Sequence, residues 1–175
     1  MNINAVLPGV AARSALVGAA LTEESLKAVR TYAFGQSRAP LSEVEDVVRA
    51  SLVSAEARGA VARQLAGLLS GDTTPAGKQF VCRQLAIVGT AEQVPALAPL
   101  LADPATADMA RYALEPIPGP EVDAALIEAL GSAPDAAKAG IANSLGARRC
   151  AAAVPKLKEL TGHSDPVIAE CAQAA

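Results

Sequence analysis

The sequence predicts an all-α fold: an α-solenoid, wound as a right-handed superhelix of antiparallel helix pairs. Three observations predict it. Apolar residues recur at helical spacing in nearly every segment. Caps and turn residues close the segments, with connections short enough to make consecutive helices antiparallel neighbours. A two-helix pattern returns at roughly 30 residues, the range of helical repeat arrays, in which each unit is too small to cover its own apolar face and must stack on the next.

Residues 1–21, MNINAVLPGVAARSALVGAAL, are apolar. They lack a basic n-region, and Arg13 interrupts the run, so a signal peptide is not expected. Pro8 followed by Val10, Ala11, Leu16 and Val17 suggests a first helix. Thr22-Glu23-Glu24 opens the next, with acidic residues where the helix dipole favours them. It carries Leu26, Val29, Ala33 and Phe34, and Gly35 ends it. After the loop Arg38-Ala39-Pro40, Ser42 and Glu45 have capping-box spacing, and Val44, Val47, Val48 and Leu52 mark a buried stripe. Ser54 starts a helix through Val61, Leu65, Leu68 and Leu69, closed by Ser70-Gly71. Residues 1–73 thus read as an N-terminal helical cap or irregular repeats.

Residues 74–175 are more regular and read as one continuous repeat domain. Thr74-Pro75 is a helix start, a capping hydroxyl followed by a proline whose missing N–H costs nothing. Phe80, Val81, Leu85 and Val88 share the buried face, and Gly89 offers a left-handed helix stop. Thr90 and Gln93 form a capping box for a helix carrying Val94, Leu97, Leu100 and Leu101, which Pro99 distorts. Asp103-Pro104 turns the chain into a helix with Met109, Ala110, Ala113 and Leu114 inward. The pattern recurs over 118–146 and 147–175, with Val94, Val122 and Val154 in equivalent places. VPALAPLLADP and VPKLKELTGHSDP match best. The last helix, VIAECAQAA, lacks the Leu-Gly stop of its counterparts. Val167, Ile168 and Cys171 are expected to pack on Val154, Leu157 and Leu160. This open end suggests part of a longer protein or a pairing with a second copy.

VPALAPLLADP, MARYALE and VPKLKELTGHSDP resemble the HEAT-like repeats also found in phycobilisome lyase subunits. The resemblance covers residues 74–175, and implies a non-catalytic protein–protein interaction scaffold. The family motif carries no catalytic residues to transfer. The second function it raises is a bilin lyase-like subunit, which would need a pocket of polar and aromatic groups to hold a tetrapyrrole. The unit opening with Pro116, Pro118 and Pro120 departs from the pattern.

Composition narrows the function classes. Half of the 175 residues are apolar, yet only Tyr32, Phe34, Phe80 and Tyr112 are aromatic, so the core must be built from Ala, Leu, Val and Ile. The net charge of −3 and the absence of a basic stripe argue against nucleic acid as a partner. No segment reaches the length of a membrane span, and a cytoplasmic location is expected. Cys82, Cys150 and Cys171 show neither disulfide-framework nor zinc spacing. Cys82 and Cys171 read as small core residues, and Cys150 as a cysteine at or near the surface beside Arg148 and Arg149. His163 reads as a solvated turn residue.

No catalytic residue, metal site or cofactor is expected, since phosphate loop, ligand cluster and nucleophile elbow are all missing from the sequence. Arg83, Arg111 and Asn143 fall at equivalent places in successive second helices, with Gln79, Gln84, Asp108 and Glu115 nearby. Stacking would align them as a ladder that holds a protein partner or another domain of a longer chain. The alternative is the polar outside of each helix, with Asp108, Arg111 and Glu115 as intrahelical ion pairs.

Overall fold

The structure is a computed structural model that describes residues 20–175; the expected helix between Pro8 and Val17 lies outside them. The described residues form ten α-helices and four short 3-10 helices, with no strand among them. In chain order the α-helices are α1 (Glu23–Thr31), α2 (Ser42–Ser51), α3 (Ala55–Ala66), α4 (Pro75–Val88), α5 (Val94–Leu97), α6 (Ala107–Leu114), α7 (Pro120–Ser132), α8 (Asp135–Ala147), α9 (Val154–Leu160) and α10 (Pro166–Ala174).

Alternate helices pack on one another. The segment Ala91–Ala102 touches α7, and α7 touches α9; α4 touches α6, α6 touches α8, and α8 touches α10. These make two rows, joined where α7 meets α8 and α9 meets α10. One core cluster runs from Leu21 to Ala172 and is almost wholly aliphatic, with Phe80 its only fully buried ring. Such a core follows from the composition: small aliphatic side chains let helices approach closely and cost little rotamer freedom.

Local chemistry explains most boundaries. Thr74 Oγ1 accepts from the Gly77 N–H at 3.1 Å and donates to the Tyr32 carbonyl, which ties the start of α4 to the end of α1. The two helices come so close there that a Cβ on Gly77 would strike the Val29 carbonyl. The Thr90–Gln93 capping box is present, on the 3-10 turn Ala91–Gln93. Pro99 acts as expected: α5 stops at Leu97 and the chain continues as 3-10 helix from Ala98 to Ala102.

Several expectations are corrected. Gly89 has φ −61°, extended rather than left-handed. Glycine is needed there for room, because a Cβ would strike the Leu85 backbone carbonyl and crowd the Ile117 side chain behind it. Ser42 does not cap α2; a 3-10 turn leads into that helix, and the Ser42 hydroxyl donates back to the Ala39 carbonyl at 2.7 Å. Glu45 instead pairs with Arg38 at 2.7 Å. Leu52 and Phe34 are exposed, since both lie beyond the last turn of their helices, α2 and α1. In α10, Val167 is exposed and Cys171 half-buried, whereas Ile168 and Ala172 carry the burial; Val154 is also exposed. The cause is that α10 packs against α8 as well as α9. Its close fit to α8 shows at Gly146, where a Cβ would lie 2.7 Å from Ala175 Cα. His163 is not solvated, with only 18% of its side chain exposed and Nε2 3.8 Å from Asp135 Oδ1. Cys150 is buried.

Candidate functional site

The ladder residues lie on α4, α6 and α8. On α4, Gln79 and Arg83 are one turn apart, and the helix places them side by side on one face. On α6, Asp108, Arg111, Tyr112 and Glu115 occupy the corresponding face. A cleft of about 610 Å³ opens between these helices, lined by Gln79, Arg83, Asp108, Arg111 and Tyr112. Gln84 does not belong to this surface: it is buried, because it shares the inward stripe of Val81 and Val88 at helical spacing. Asn143 is exposed but lines none of the clefts described here.

Two further clefts extend the first. One, of about 160 Å³, shares Gln79 and Arg83 with it and is walled by Tyr32 and Phe34. The other, of about 630 Å³, shares Tyr112 and runs over Ile87 and Glu115 to Arg148. The three make one strip across α1, α4, α6 and α8.

Charge along the strip is mostly neutralised within the chain. Arg111 lies 3.3 Å from the Glu115 carboxylate and donates to Ser144 Oγ at 3.1 Å; the Ser144 hydroxyl donates in turn to Glu115. This triad joins α6 to α8. Arg111 Nε is buried without a hydrogen-bond partner; Asp108 stands 3.7 Å away, at ion-pair but not hydrogen-bond distance. The side chain passes over Gly140, where a Cβ would meet Nε at 2.9 Å. Arg83 differs: it is exposed, and no carboxylate of the described residues lies within 4.0 Å of it.

Arg148 holds the floor of the strip. Its side chain is 11% exposed and donates to Asp123 Oδ1 at 2.6 Å, and to the carbonyls of Glu115 at 2.8 Å, Ile117 at 2.6 Å and Gly119 at 3.1 Å. The connection Glu115–Pro120 contains three prolines, Pro116, Pro118 and Pro120, and cannot satisfy its carbonyls helically. One guanidinium does so instead, with its donors spread in a planar fork. Arg148 is aimed by the end of α8, where Arg149 adopts φ 54° and the Cys150 N–H donates to the Leu145 carbonyl at 3.0 Å, a Schellman-type closure.

Cys82 lines the central cleft from below, and burial pushes its thiol up to about 12. It is therefore held as a neutral thiol, a poor nucleophile and a poor ligand at neutral pH. None of the three clefts is lined by His163, the chain's one histidine. Among the described residues no group of three or more His, Cys, Asp or Glu is placed to hold a metal ion, and no helix is long and apolar enough to cross a membrane. The strip is equipped to bind through arginine, amide and ring surfaces.

Sequence reasoning passed over Arg148, Ser144 and the aromatic residues of the strip. The aromatics carried a signal, since all four in the chain line the clefts on this one side. Comparison with family models, curated proteins and solved structures returns no match for this chain.

Proposed function

We propose that the chain is a non-catalytic protein–protein interaction scaffold, an α-solenoid of HEAT-like repeats that works within a larger protein or assembly. The observation that carries this reading is the packing of alternate helices in two rows over one continuous core. Helix pairs that bury their faces only by stacking make elongated surfaces, and repeat proteins use such surfaces to hold partners. The fit of VPALAPLLADP and VPKLKELTGHSDP to the same place in units on either side of the Val122 unit supports the repeat reading. The right-handed sense of the superhelix belongs to this proposal.

The test is affinity capture with the tagged protein as bait, followed by cross-linking and mass spectrometry. The reading expects one protein partner at near-stoichiometric amounts, retained after nuclease and chelator treatment. Added bilin acquiring a shifted absorbance, with no protein captured, would favour the bilin lyase-like alternative and overturn the scaffold.

A further inference from the structure

The strip has a composition and an order that the scaffold reading does not require. Every aromatic residue of the chain borders it: Tyr32, Phe34 and Phe80 at one cleft, Tyr112 shared by the other two. Phe34, Ile87 and Tyr112 are each more than half exposed, although large apolar side chains are usually inside. Tyr and Arg are among the residue types most enriched where partners bind, because they combine apolar area with hydrogen bonding. Arg83 lies between the two apolar ends, shared by the cleft of Phe34 and the cleft of Tyr112. The other strip arginines are paired: Arg38 with Glu45, Arg111 with Glu115, Arg148 with Asp123. The strip therefore presents one uncompensated cation between two apolar patches.

We propose that this strip binds an extended peptide segment of a protein partner, one that carries an Asp or Glu between apolar side chains. The carboxylate pairs with Arg83, where a guanidinium can bond it bidentately. Apolar side chains on either side cover Phe34 and Tyr32 at one end and Tyr112 and Ile87 at the other. Neighbouring packed helices lie about 8–10 Å apart, so the path from α1 to α8 is roughly 25–30 Å. At about 3.3 Å per extended residue this takes a segment of about eight residues. Single-stranded nucleic acid fits less well, because a phosphate at every nucleotide would meet Asp108 and Glu115, which border the same path, whereas the peptide sets its one carboxylate against Arg83. The inference rests on the scaffold reading, and adds the class of partner and the residues that select it.

The test is a random nonapeptide display library panned on the full protein. Enriched peptides should share an acidic residue flanked on both sides by apolar ones. A labelled peptide of that consensus should lose at least about tenfold in affinity with Tyr112→Ala and with Arg83→Glu. Replacing its acidic residue by lysine should restore binding to Arg83→Glu. Both positions are exposed, so the melting temperatures should stay at the wild-type value. Enriched peptides whose affinity neither substitution changes would overturn the strip while leaving the scaffold standing. No enrichment, or enrichment of basic peptides, would overturn the peptide proposal, and the affinity capture described above would still decide the scaffold on its own. Displacement of the labelled peptide by a short single-stranded RNA would overturn the choice of partner.

Discussion

The two helix rows are built alike and held together differently. In the first row, Ala91–Ala102, α7 and α9, one helix is interrupted: α5 is four residues long, and the chain passes through Pro99 as 3-10 helix. Contact along this row is aliphatic, through residues such as Val94, Leu97, Leu126 and Leu157. A polar link reaches it from α3, Arg63 to Glu92 at 3.2 Å, with both side chains more than 60% exposed. In the second row, α4, α6, α8 and α10, side-chain bonds cross between helices: Arg111–Glu115–Ser144 joins α6 to α8, and Arg148 pins the connection that leaves α6. Aliphatic packing makes a wall that tolerates sliding, whereas directional bonds fix a register. A binding surface needs the second property, since its groups must sit at fixed separations.

Truncating Arg148 should break this contrast most severely. Arg148→Ala leaves half-buried Asp123 and three carbonyls without their shared donor, and stranded acceptors at about 1 kcal/mol each make a loss of roughly 4 kcal/mol. Urea denaturation should show it as a drop in the midpoint. A loss below about 1 kcal/mol would mean that solvent replaces the guanidinium and that the clamp is incidental.

Core truncations should affect both rows equally. Leu85 lies in the second row and Leu97 in the first, and both are fully buried. Leu85→Ala and Leu97→Ala should each cost about 2–4 kcal/mol, because the cavity cannot fully collapse. A much smaller loss at Leu97 would show that the first row relaxes around a void, which would sharpen the contrast into one of rigidity.

The cross-helix triad comes next. Ser144→Ala removes the hydroxyl between Arg111 and Glu115 and should cost about 1–2 kcal/mol. A double-mutant cycle with Glu115→Gln should give a non-zero coupling energy if the bond between α6 and α8 is real. At the small end stands Arg63→Ala, which should change stability by less than about 0.5 kcal/mol, as an exposed pair does. A larger effect there would erase the distinction between the rows.

How much of this was legible in the sequence depends on the range of each interaction. Thr74 and Thr90 were readable because a cap and its partners lie within three residues. The core stripe of α4 was readable from its 3.6-residue period, and the same period places Gln84 inside with Val81 and Val88. Weighing its amide over its position put it on the surface. Gly89 is legible as a stop, but its cause is close packing on the Leu85 carbonyl and Ile117 rather than a left-handed turn. Arg148 could not have been found. Its acceptors lie 25 to 33 residues upstream, three of them are backbone carbonyls, and a carbonyl leaves no mark in a sequence. His163 is the turn residue expected, but it reads as solvated in the sequence because nothing local says that Asp135 stands 3.8 Å from it.

The measurement closest to the central claim is amide hydrogen exchange of the protein, free and saturated with the partner recovered by affinity capture. The account predicts slowed exchange in α4 and α6, strongest at residues 79–87 and 108–115, with little change in the first row at 94–102 and 154–160. Protection concentrated in the first row, with α4 and α6 unchanged, would contradict it.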